Sequence, residues 1–456
     1  MFNAIANTLS NCFKIPELKS RIFFTLIVLG ICRLAALIPT PGLDNRALVD
    51  YFARSRSGDG NSLMDMYSLF TGGGFENCAV GALGIMPYIS ATIIIQLLTA
   101  VVPSLSKMAR EEGGRVKIIQ YGRYLTVALC LGQGFFMAIG WENAASIFPG
   151  FTGNLVIVGN LWWYRIQTML VLTTGTMLMM WLGEQITERG VGNGISLIIT
   201  IGILARLPSA AQGLWDMFGA TGSVVPKFYG VVLVALLCAV IAAVIAVTQG
   251  QRKIPVQYAQ RAVGKKVFSG GSSFMPLRVN YAGVMPVIFA QAILMFPAQI
   301  FQFAGKQLEI PFLIRISVQL SQGQSLYLIL YGVMILFFSY FWVATQFNEI
   351  QIADDMKKSG GYIPGVRPGQ PTSDFLHRCM SRITLAGAIF LTVIAVIPII
   401  LYSQMRVPNQ VAQFFGGTSM LIMVGVMLDT MRQMESYLLM RHYDGFLKKG
   451  RLKGRF

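Results

Sequence analysis

Ten apolar runs punctuate the chain, near residues 22 to 38, 78 to 98, 116 to 138, 161 to 182, 191 to 207, 229 to 248, 281 to 303, 326 to 344, 383 to 402 and 411 to 430. Each approaches the ~20 residues that a helix needs to cross the hydrocarbon core of a bilayer. The pattern predicts an all-α polytopic membrane protein with ten transmembrane helices. One further apolar stretch, Leu63 to Phe70, is too short to span and runs into Thr71-Gly72-Gly73-Gly74. It reads as a short re-entrant helix that dips in and returns. Such a segment survives only beside protein or water, because each unpaired backbone group in lipid costs several kcal/mol. A cavity is therefore implied.

Part of the pattern occurs twice. Gly84-Ile85-Met86-Pro87-Tyr88-Ile89 recurs as Gly283-Val284-Met285-Pro286-Val287-Ile288, and both copies lead into an apolar helix. Each copy opens the second crossing of a set of five, and an odd number of crossings puts the two sets in opposite orientations. Two inverted five-helix halves are the pattern of channels and transporters that work at the interface between repeats. The expected division is an N-terminal half over 1–207, an outer link over 208–228, a C-terminal half over 229–430 and a basic tail over 431–456.

Composition agrees: 54% of the 456 residues are hydrophobic and 12% charged. The charge is strongly biased, with a net +17. Lys and Arg outnumber acids more than two to one in the N-tail, the even-numbered loops and the C-tail, and nearly balance them in the odd loops. By the positive-inside bias, both termini and the even loops face the cytoplasm. That surface also suits an acidic partner or anionic lipids. The first run lacks a small-residue cleavage site and reads as an internal anchor. Arg33, inside that run and shortly before Pro39, fits snorkelling to the outer interface, with a buried functional charge as the other reading.

Two cytoplasmic loops, 249 to 280 and 347 to 382, are much longer than a connection requires, and long ordered loops usually bind something. The first suggests a hairpin through Lys253 to Arg261. The glycines of Glu184 to Gly194 suit a tight turn into the fifth helix. The C-tail, ending Lys448-Lys449-Gly450-Arg451-Leu452-Lys453-Gly454-Arg455, suits orientation and lipid attraction, or contact with RNA or a ribosome.

Catalytic candidates are scarce. His377 and His442 are the only histidines, so there is no His-based metal cluster and no HExxH. The six cysteines are scattered without a CxxC, and no nucleotide loop is present. No metal or cofactor is expected. The middles of the spans carry no Asp, Glu or His, which weighs against a proton- or ion-coupled carrier. They carry isoleucines at helical spacing instead. Ile85 and Ile89 share a helix face, as do Ile195 and Ile199.

GALGIMPYISATIIIQLL, ITERGVGNGISLII, IPVQYAQR, SGGYIPGVRPG and FGGTSMLI, in this order, resemble the SecY family, the channel subunits of the bacterial protein translocon. The resemblance runs from about residue 15 to residue 450. Gln260 and Gln370 stand where the family often has Lys and Glu, and residues 210 to 228 look longer than the family's usual link.

The resemblance implies an hourglass pore between the halves and no enzymatic activity. Its aliphatic constriction falls on Ile85, Ile89, Ile195, Ile199, Ile288 and Ile422. A plug helix falls on Leu63, Met64, Asp65, Met66, Tyr67, Ser68, Leu69 and Phe70. A lateral gate lies between spans two and three and spans seven and eight, with Ser90, Gln96 and Gln291 as polar members. Arg367, Tyr258 and Arg261 fall where the SecA ATPase and the ribosome dock. SecE and SecG are the implied partner subunits, signal peptides and nascent chains the cargo, anionic lipids the surroundings, and the bacterial cytoplasmic (inner) membrane the location. A solute transporter would share the inverted repeat and broken helix. The acid-free spans and oversized basic loops favour the channel.

Overall fold

Proline and asparagine set where the helices start. The computed structural model describes residues 15–55, 68, 71–111, 113–144, 151, 155–219, 227–258, 261–263, 266–268, 272–307, 310–321, 324–404 and 418–449. The N-terminal half contains α1 (Pro16–Ala35), α2 (Asn45–Ser55), α3 (Met86–Val101), α4 (Pro103–Arg110), α5 (Gly114–Glu142), α6 (Leu161–Arg189), α7 (Gly194–Leu204) and α8 (Leu207–Gly219). Pro16, Pro87 and Pro103 occupy the first turns of α1, α3 and α4, where a missing N–H costs nothing. Asn160 and Asn193 cap α6 and α7 by accepting backbone N–H bonds, as short polar side chains do at helix starts.

The C-terminal half contains α9 (Lys227–Gln249), then β1 (Gln251–Tyr258), β2 (Arg261–Val263), β3 (Lys266–Phe268) and β4 (Ser272–Arg278). There follow α10 (Met285–Gln307), α11 (Pro311–Gln319), α12 (Ser325–Gln346), α13 (Glu349–Ser359), β5 (Gly361–Tyr362), α14 (Gln370–Gln404) and α15 (Thr418–Lys449). Six helical stretches among the described residues are long and apolar enough to cross a membrane, and the bent pair α3 and α4 makes a seventh. The other apolar runs fall short for visible reasons. Charged Glu17, Lys19, Arg21 and Arg33 interrupt α1, and the apolar run before α15 lies mostly outside the described residues.

The second apolar run departs most from expectation. Helix does not fill 78 to 98; it begins at Met86, and 71 to 85 form successive turns. Gly72, Gly73 and Gly84 take φ values of 63°, 88° and 60°, and Cys78 takes 46°, all left-handed positions that suit glycine. The axis then bends by 103° between α3 and α4, where Val102 is extended before Pro103, as proline demands of its predecessor. The turn before α7 meets expectation: Gly192 has φ 89° and its N–H donates to Gln433 at 2.8 Å. In the link, α8 covers 207 to 219, with Pro208 near its start.

Within the N-terminal half α3 packs on α5, α5 on α6, α6 on α1 and on α7; within the other, α10 packs on α12, α12 on α14, α14 on α9 and α9 on α15. The halves meet through α3 against α10 and through α7 against α15. A closed circuit results, α3 to α10 to α15 to α7 to α6 and back to α3. One continuous buried apolar cluster runs through these helices.

Candidate functional site at the seam between the halves

The circuit of helices positions the isoleucines. Ile85 immediately precedes α3 and Ile89 lies on it; Ile195 and Ile199 lie on α7, Ile288 on α10 and Ile422 on α15. All but Ile195 are buried, Ile422 completely, and they belong to one apolar cluster. Ile195 is half-buried and packs against that cluster. Side chains from four helices of two halves thus share one water-poor interior. Such an interior cannot hydrate an ion, and aliphatic chains can move aside at little cost because they hold no hydrogen bonds.

The same helix start is built twice. Gly283 has φ 63°, as Gly84 has 60°, and in each case the helix opens at the methionine of Met-Pro. This conformation aims Ile89 and Ile288, the sixth residue of each copy, into the cluster.

At the end of the seam where α1 and α7 finish, charge replaces grease. Of the expected plug, Ser68 is described, helical and fully buried; Leu63, Met64, Asp65, Met66, Tyr67, Leu69 and Phe70 lie outside the described residues. The Ser68 hydroxyl donates to Glu76 at 2.7 Å. The Arg206 guanidinium donates to both that hydroxyl and the Glu76 carboxylate. Arg33 does not snorkel: it turns inward and donates to the Gly72 carbonyl at 2.7 Å. A residue with a Cβ at position 72 would collide with that guanidinium and with Gly202. Glu76 and Arg206 are 130 residues apart, and their partnership leaves no periodic signal in the sequence.

On α3, Ser90 and Gln96 are half-buried, and on α10 Gln291 is fully buried. Neither amide atom of Gln291 finds a hydrogen-bond partner among the described residues. Behind it Phe289 packs edge-on against Phe338 and Trp342 of α12, with ring centroids 5.9 and 5.3 Å apart.

At the opposite end the two long loops join in one sheet. β1 pairs antiparallel with β4 from Gln251 opposite Arg278 to Gln257 opposite Ser272. On its other edge Gln257 faces Tyr362 and Tyr258 faces Gly361. The expected hairpin through Lys253 to Arg261 is therefore corrected: most of that stretch is one strand, and β2 with β3 form the tip, Arg261 opposite Phe268. Ile254, Leu277, Ile363 and Leu376 bury a small core beneath the sheet. Above it Tyr258 and Arg367 are exposed, and the Tyr362 hydroxyl donates to Gln257 at 3.0 Å. The Arg367 carbonyl accepts from Thr372 at 2.8 Å, fixing the backbone while the guanidinium faces outward.

These features define a class: a helical membrane protein of two bundles that meet along an apolar seam, with a basic sheet platform at one mouth. A sequence model described as SecY matches residues 79–431. The chain is 45% identical over 458 residues to the "Protein translocase subunit SecY" of Chlamydia trachomatis serovar D, covering 98% of this chain and 99% of that protein. It is 42% identical over 440 residues to the "Protein translocase subunit SecY" of Escherichia coli K12, covering 96% of each. Among solved structures the fold resembles one described as "The structure of a protein conducting channel", with TM-score 0.66, 19% identity, and 94% of this chain and 97% of that one covered. Sec61 in the canine ribosome-channel complex gives 0.62 at 18% identity, with the same coverage. The chain belongs to the SecY family.

Proposed function

We propose that this chain is the central channel subunit of a bacterial protein translocase, carrying secretory chains across the cytoplasmic membrane and releasing apolar segments sideways into lipid. One observation carries the reading: isoleucines from four helices, two in each half, are gathered in one buried cluster at the seam. A collar of this kind blocks ions by dewetting and yields to a threaded polypeptide. A charged side chain costs about 2.5 to 3.5 kcal/mol at the bilayer centre, so exported chains need such a route and apolar segments do not.

In this reading the chain has ten spans in two inverted halves, with both termini and the sheet platform in the cytoplasm. The charge bias and the matched glycine turns support it. Leu63 to Phe70 form the plug, and the α3–α10 contact, with Ser90, Gln96 and Gln291, is the lateral gate through which a signal peptide leaves. Arg367, Tyr258 and Arg261 receive SecA or a translating ribosome, which supplies the energy. SecE and SecG complete the channel, and anionic lipids meet the basic face.

The test is cross-linking of a stalled secretory chain to cysteines placed at Ile85 and Ile422 in a variant lacking native thiols. Adducts at both positions are expected. Export without an adduct at either would overturn the assignment of the passage to this seam.

A further inference from the structure

Residues 71 to 85 are attached to their surroundings in two different ways. From Cys78 onward the attachment is mainly backbone to backbone, with the Thr40 hydroxyl also donating to the Cys78 carbonyl. The Thr40 N–H donates to the Cys78 carbonyl at 2.8 Å, Val80 to Ile38 at 2.9 Å and Gly81 to Ala35 at 3.0 Å, and an antiparallel bridge joins Pro39 to Ala79. Upstream of Cys78, charged side chains reach in from elsewhere in the chain. Arg33 of α1 holds the Gly72 carbonyl, and Arg206, just past α7, holds Ser68 and Glu76. Phe75 adds an apolar contact to Trp141 at 6.4 Å.

The ion pair is nearly out of water. The Glu76 side chain is 12% exposed and that of Arg206 18%, so salt screens it little. Loss of either partner removes the opposite charge that offsets the cost of holding the other in a poor solvent for it. An ion pair also has an alternative that an apolar contact lacks: both groups regain hydration when the site is wetted. Arg206 follows the helix that bears Ile195 and Ile199, so a displacement of α7 relative to residues 72–77 strains the contact with Glu76.

We propose that the Glu76–Arg206 pair, with Ser68 and Arg33, is an ionic latch. It holds residues 72–77 against the end of the closed seam and releases them when α7 shifts, while the Pro39–Ala79 bridge stays as the fixed end. This rests on the channel reading above and adds to it the side chains that set the resting seal.

The test uses the complete channel complex in lipid vesicles, with resting ion leak and precursor translocation measured on the same preparations. Glu76→Gln and Arg206→Gln are each expected to raise the resting leak at least about tenfold, because removing one partner of a buried pair costs more than the ~1.4 kcal/mol that a factor of ten represents. Translocation should persist, and the exchanged pair Glu76→Arg with Arg206→Glu should bring the leak back toward the wild-type level. Wild-type complex that carries no precursor would refute the channel reading. Wild-type complex that translocates, beside two single variants with unchanged leak, would overturn the latch alone. If either charge variant accumulates poorly, Ser68→Ala keeps both charges and should still raise the leak; an unchanged leak there counts against the latch.

Discussion

Gly84 and Gly283 adopt the same left-handed conformation, φ 60° and 63°, at corresponding positions of two helix starts nearly 200 residues apart. Each turns the chain so that a Met-Pro pair opens a helix. A side chain would strain both, because an L-residue pays about 1–2 kcal/mol in this region. Their surroundings differ. A Cβ at Gly84 would sit 3.3 Å from the Thr71 side chain and 3.5 Å from its backbone, whereas at Gly283 the nearest atom is Asp429 Oδ2 at 3.7 Å. Gly283→Ala should lose about 1–2 kcal/mol of stability, and Gly84→Ala more. Thermal unfolding of the two variants in detergent checks the order.

On the proposed reading, the buried isoleucines should govern discrimination between substrates. Replacing Ile89 or Ile288 with Asn puts an amide among side chains that offer no partner, at a cost of about 1–3 kcal/mol in the closed seam. Opening hydrates the amide, so the closed-to-open ratio falls by about fivefold or more. Export of a precursor with a defective signal sequence should rise accordingly. Unchanged export of that precursor by both variants would remove these residues from the collar.

What the sequence could show followed from local pattern. The Gly-x-Met-Pro repeat reports its own backbone, and the glycines of 190 to 194 announce a turn, because each acts on the residues beside it. The isoleucine positions were available through motif resemblance. Of the two readings of Arg33, snorkelling fails, because a sequence gives its distance from Pro39 but not the Gly72 carbonyl that faces it across the fold. The same limit hid Arg206 and Glu76. Strand content in the first long loop is visible in the sequence, but its register is not: Pro255 lies two residues past Lys253, which stands opposite Pro276, and only the paired strand β4 shows where the hairpin turns.

Helices α5 and α6 are clamped near both ends by two-pronged arginine–carboxylate contacts. Arg123 meets Glu184 at 3.1 and 2.8 Å, and Arg165 meets Glu142 at 2.9 and 3.0 Å while lying over the Trp162 ring. Paired geometry strengthens such contacts, but exposure weakens them. Arg123 is 43% exposed and Arg165 22%. Glu142→Gln should therefore cost about 1.5–3 kcal/mol and Glu184→Gln under about 1 kcal/mol. Raising salt should narrow the difference between wild type and Glu184→Gln more than that for Glu142→Gln. Urea or thermal titrations at two ionic strengths measure both.

On the proposed reading, Arg367 and Tyr362 separate docking from folding on the sheet platform. Both are exposed, yet only the tyrosine ties the two loops together through its side chain, by its bond to Gln257. Tyr362→Phe removes one neutral hydrogen bond and should cost about 0.5–1.5 kcal/mol, with motor-driven export nearly intact. Arg367→Glu leaves the backbone bond from Thr372 in place, so the loop should keep its shape and the protein its insertion in the membrane. The reversed charge faces any acidic surface that docks there, and like-charge contact across an interface costs several kcal/mol. SecA-stimulated translocation should fall by at least about tenfold, since 1.4 kcal/mol already gives that factor. Normal SecA-stimulated translocation by Arg367→Glu would exclude the residue from the docking surface.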